Sequence, residues 1–72
     1  MRGFTDEAGR AWDVALGKES WGTLVLLFSP RGGGDARTSI LAAETAFAAN
    51  AELDALTDDE LRERLRDSRP WP

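Results

Sequence analysis

Large apolar side chains alternate with small or polar ones between Arg10 and Leu16: Trp12, Val14 and Leu16 share one face, and Ala11, Asp13 and Ala15 the other. A period of two marks a strand with one buried face. Upstream, Gly3-Phe4-Thr5 forms a shorter strand, joined to the first by the turn Asp6-Glu7-Ala8-Gly9. Asp suits the opening position of such a turn, and Gly the position that takes positive φ. After a second turn at Gly17-Lys18-Glu19-Ser20, Trp21-Gly22-Thr23 leads into the run Leu24-Val25-Leu26-Leu27-Phe28. This run does not alternate, which is the pattern of a central strand covered on both sides.

Ser29-Pro30-Arg31-Gly32-Gly33-Gly34-Asp35 ends the run as a flexible loop, since Pro cannot donate to a ladder and Gly is expensive to order. In Ala36 to Ala43, Thr38, Ile40 and Ala42 alternate with Arg37, Ser39 and Leu41, which fits a fourth strand, although Ile40 to Glu44 would also open a helix. From Thr45 the spacing becomes helical, with Ala46, Ala49, Leu53 and Leu56 as a narrow apolar stripe and Phe47 beside it as the expected anchor. Thr57-Asp58-Asp59-Glu60 is a capping box that starts a helix over 58–67, with Leu61 and Leu65 inward. Asp58 with Arg62, and Glu60 with Arg64, are spaced as i,i+4 pairs. Pro70 closes the helix near Ser68. The expected fold is α+β: a small antiparallel three- to four-stranded β-meander (1–43), a segment of two helices (45–68) and a Pro/Trp tail (69–72), all in one small domain.

Several of these positions together form a pattern. Phe4-Thr5-Asp6, Gly9-Arg10, Trp12 and Val14, then Trp21-Gly22 before a strand ending Phe28-Ser29-Pro30, and Leu56-Thr57-Asp58-Asp59-Glu60-Leu61-Arg62 resemble a group of small bacterial proteins. These open on an F-x-D-x-x-G-x-x-W-x-V hairpin and close on an L-[ST]-[DE]-x-E-L-R helix. The resemblance implies a fold and carries no activity, because its motifs are turns, core positions and a cap. The Gly-rich loop and the Arg-Pro-Trp-Pro tail fall outside it.

Composition narrows the chemistry. The 72 residues contain no Cys, no His and no Tyr. That removes disulfides, thiolate nucleophiles, thiolate metal sites and the usual proton shuttle near neutral pH. Carboxylates, a few hydroxyls, one Lys and eight Arg remain, and so short a chain can hardly enclose the pocket that would tune them. A non-enzymatic protein without cofactor or metal is expected. Asp59 and Glu63 lie one turn apart but lack the further oxygen ligands a divalent cation needs, and the Gly-rich loop lacks the Gly-Lys-Ser/Thr of a phosphate cradle. No apolar run approaches the roughly 20 residues of a membrane span, and the N-terminal residues carry no signal-peptide pattern, so a cytoplasmic protein is expected.

Two functional readings follow. If the helices cover Leu24, Leu26 and Phe28, then Val25 and Leu27, with Ala11 and Ala15 beside them, form an apolar patch open to a protein partner or a second copy. Trp21 and Trp71 would extend that surface, Trp71 either covering the edge of the core or anchoring the partner. The alternative is a nucleic-acid-associated regulator using Arg10, Arg31 and Arg37 with Trp21 as a stacking surface. The formal net charge of −4 argues against it, since affinity for phosphate backbones is built from Lys and Arg.

Overall fold

The structure, a computed structural model, describes residues 2–20 and 22–71. Five antiparallel strands lie in chain order across one sheet: β1 (Arg2–Thr5), β2 (Ala11–Lys18), β3 (Leu24–Pro30), β4 (Arg37–Ile40) and β5 (Arg69–Pro70). Helices α1 (Ala46–Ala55) and α2 (Asp58–Arg66) intervene between β4 and β5. The α+β meander with C-terminal helices is as expected, with one more strand than the hydrophobic pattern indicates. That strand is too short to show a period, and its two residues join the sheet by pairing Arg69 with Thr38 and Pro70 with Arg37.

The first hairpin shows how local chemistry positions the sheet. Asp6 Oδ1 accepts from the backbone amides of Ala8 and Arg10, and its Oδ2 accepts from Trp12 Nε1 at 2.8 Å. Gly9 takes a φ of 85°, which a β-carbon would disfavour. The turn thereby sets the register Thr5 to Ala11 and Phe4 to Trp12. The Trp12 hydrogen bond, followed by the Arg10 amide, lowers the Asp6 pKa. The Thr57 amide and hydroxyl do the same for Glu60 in the capping box at α2.

Both carboxylates are thus more acidic folded than unfolded. Their contribution is complete above the unfolded values of about 4 and is lost as pH falls through the lower folded values. Thermal melts between pH 7 and 3 should therefore show the melting temperature falling only below about pH 4.5. Asp6→Asn, which turns an amide donor toward N–H groups, should lower it across the range and flatten the acid limb.

The second turn lies later than its residue types indicate. Strand β2 runs on to Lys18, and the chain reverses between Glu19 and Thr23, where Gly22 has a φ of 95°. Trp21 lies outside the described residues.

The core forms on one face of the sheet. Phe4, Trp12, Val14, Leu26 and Phe28 from the strands, with Leu41, pack against Ala49 and Leu53 of α1, Leu56, and Leu61 of α2. Leu16, Leu24 and Leu65 are partly buried against them. Phe47, expected to anchor α1, is instead 86% exposed. The Thr45 side chain caps the helix by accepting from the Ala48 amide, which sets the phase so that Ala49 and Leu53 face inward. Phe47 lies two residues from Ala49, about 200° around the axis, and points to solvent.

The expected i,i+4 pairs on α2 are not made. Arg62 pairs with Asp59 and donates to the Thr5 carbonyl, Arg64 reaches Glu52 of α1, and Arg66 reaches Glu7 in the first turn. Arg64 and Arg66 thus tie α2 to neighbouring elements through their ion pairs, and Arg62 does so through the Thr5 carbonyl while keeping a carboxylate of its own helix.

Candidate functional site

The opposite face of the sheet carries no helix. The strand registers place Ala15 and Gly17 of β2, Val25 and Leu27 of β3, and Thr38 and Ile40 of β4 there. Arg69 lies opposite Thr38 and Trp71, two residues on, follows on the same side. The Trp71 amide donates to the Ala36 carbonyl at 2.9 Å, fixing the segment along the β4 edge.

Between these elements runs a groove of about 430 Å³, lined by Glu19, Thr23, Thr38, Ile40, Arg69 and Trp71 among others. Ile40 is 53% exposed and Trp71 half-buried. Arg69 and Pro70 are exposed.

Val25, expected to be open to a partner, is fully buried. Gly17 is its cross-strand neighbour, and a β-carbon there would lie only 3.2 Å from Val25 Cγ2 and 3.5 Å from Leu27 Cβ. The side chains of Val25 and Leu27 therefore lie directly over the Gly17 backbone. Leu27 stays half-buried, as do Ala11 and Ala15. Among the described residues of this face, Ile40 is the exposed large apolar side chain and Trp71 is half-buried. Ile40 is reachable from the sequence only through the register that pairs it with Val25.

The buried Thr38 hydroxyl has no hydrogen-bond partner among the described residues. An unsatisfied buried hydroxyl costs about 1–3 kcal/mol. Thr38→Val retains the β-branched shape and removes the orphaned group, so it should stabilise the fold by about 1 kcal/mol. Urea denaturation would show this as a higher midpoint at unchanged slope.

The arginines of the nucleic-acid reading do not converge on one surface. Arg10 donates to the Gly33 carbonyl at 2.7 Å and lies 5.0 Å from the Trp12 ring centre. Arg31 pairs with Asp13 at 2.9 Å, which raises its pKa. Arg37 turns to the helical side, where it donates to the Ser68 hydroxyl at 2.7 Å and to the Ser68 carbonyl at 2.6 Å. Each closes a contact within the fold.

No known protein family matches the sequence, and neither curated proteins nor solved structures show a significant match to it. The site therefore rests on its own geometry. Among the described residues, no group of three or more acidic side chains could hold a metal ion, and no helix is long and apolar enough to cross a membrane. A second depression, lined by Asp6, Glu7, Asp59, Arg62, Glu63 and Arg66, contains the Arg62–Asp59 pair within α2 and the Arg66–Glu7 pair that ties α2 to the first turn.

Proposed function

We propose that this chain is a non-enzymatic protein-interaction module whose docking surface is the helix-free face around Ile40, Trp71 and Leu27. The observation that carries this reading is the groove itself. Its lining includes a half-buried Trp and an exposed Ile from the face away from the core. Aromatic residues in partly desolvated pockets are typical anchors of protein interfaces. A nucleic-acid surface on Arg10, Arg31 and Arg37 has less support, since each guanidinium already meets an acceptor within the chain.

The test compares two exposed positions on opposite sides of the molecule. Proteins retained by the immobilised chain should be lost with Ile40→Asp and kept with Phe47→Asp, and retention should persist in about 0.5 M salt. The opposite ranking, or loss of all binding in that salt together with retention of RNA, would overturn the proposal. For self-association, sedimentation of the wild-type chain and of Ile40→Asp gives the same comparison.

A further inference from the structure

We propose that the groove is a strand-docking site held by the chain's own β5, and that it accepts in trans an extended peptide bearing a cation next to an aromatic residue. The inference rests on the interaction surface above and names its occupant: Ile40 belongs to the surface that receives it, and Trp71 holds in cis the place that the partner's aromatic side chain takes. Three observations converge on it.

First, β5 is a poor strand for the edge it covers. It pairs at only two positions, Pro70 has no amide to donate, and among the described residues the outer edge of β4, on the side away from β3, has no strand partner beyond Thr38, at Ser39 and Ile40. A longer strand could continue the ladder along those residues, which is how peptides are recognised by addition to a sheet edge. Second, with β5 in place the Thr38 hydroxyl is 9% exposed as a residue and unpartnered. Buried polar groups are almost always paired, so the contact made in cis leaves a hydrogen bond unformed.

Third, the charges define the occupant. Glu19 and Asp67 line the groove without an ion-pair partner among the described residues, and the cation lining it is Arg69, which belongs to the β5 segment. Displacing that segment removes the guanidinium and the Trp71 ring together. What remains is the two carboxylates of Glu19 and Asp67, the hydroxyls of Thr23, Thr38 and Ser39, and the apolar side chain of Ile40. Its complement is an extended segment with Arg or Lys beside an aromatic side chain, the chemistry that Arg69-Pro70-Trp71 supplies in cis. The linked segment competes at the high effective concentration of an intramolecular contact, so trans binding is held back until that contact weakens.

The probe is a fluorescein-labelled synthetic peptide of residues 67–72, titrated into the full chain and into full-chain Trp71→Ala and Arg69→Glu. Both substitutions weaken the cis contact and should tighten peptide binding at least about tenfold relative to wild type. Replacing the peptide's arginine with glutamate should abolish the gain, and amide shifts should centre on Glu19 and on Thr38 to Ile40. Should Trp71→Ala fail to fold by circular dichroism, Arg69→Glu, altered at an exposed position, decides alone. A folded variant that binds the peptide no better than wild type, or equally well without the peptide's cation, overturns the inference. If that occurs while Ile40→Asp still abolishes partner capture, the interaction surface stands and only its assigned occupant falls.

Discussion

Phe28→Ala is expected to leave the chain unfolded at 25 °C. Phe28 is fully buried in the middle of β3, paired across the sheet with Val14 and Arg37. Its ring meets Phe4 edge-on, with centroids 5.9 Å apart and planes at 72°. Truncating a buried Phe costs about 3–5 kcal/mol, transfer and cavity terms together. A core in a chain of this length rarely supplies more than about 3–5 kcal/mol in total, so the loss matches the whole margin. Circular dichroism should show no cooperative melt for Phe28→Ala. Phe28→Leu, closer in volume, should fold with a loss of roughly 1–2 kcal/mol. A cooperative melt of Phe28→Ala within a few degrees of wild type would contradict this account of the core.

The second large effect lies at the first described residue. Arg2 donates from Nη1 to the Leu53 carbonyl at 3.0 Å and to the Leu56 carbonyl, and from Nη2 to Asp58 Oδ1 at 3.0 Å. Helix α1 has no basic residue in its last turn, so the guanidinium of β1 brings a cation to its C-terminal end, sharing the Leu53 carbonyl with the Leu56 amide and adding a donor to the Leu56 carbonyl. The same side chain also touches the first turn of α2, and one group thus joins a strand to both helices. Charge-assisted hydrogen bonds contribute about 1.5–3 kcal/mol, while the exposed ion pair adds little. Arg2→Ala should lower stability in urea by about 2–3 kcal/mol. Arg2→Lys should recover less than half of the loss, because a single ammonium cannot reproduce the fork that spans both helices. Hydrogen exchange should accelerate first around α1 and the α1–α2 link.

Contacts that close within a few residues were legible in advance. Asp6 and Gly9 form the expected turn, and Thr57 and Glu60 the expected capping box, because each donor and acceptor lies within one turn of chain. The alternation of Trp12 and Val14 located the helix-covered face in the same way, and with it the face left without a helix. Phe47 was misassigned because a stripe of Ala gives little contrast by which to fix helical phase. Only the cap at Thr45 sets it. The arginines of α2 were misassigned because spacing reveals which partners are near in sequence and not which are near in space.

For the candidate site the division follows the range of the forces. Hydrophobic period, turn chemistry and capping act over a few residues, so the residue order alone determined the first three strands, the start of α2 and the Trp12–Val14 side of the core. Packing and edge pairing act between segments far apart in the chain. Only the tertiary structure therefore decided that Val25 settles over Gly17, that β5 returns to the β4 edge, and that Ile40, Thr38, Arg69 and Trp71 line one groove. No sequence period links residues near 40 to residues near 70. The two helices that bury their apolar faces on the sheet carry the chain back to β4, and the groove exists because that path ends there.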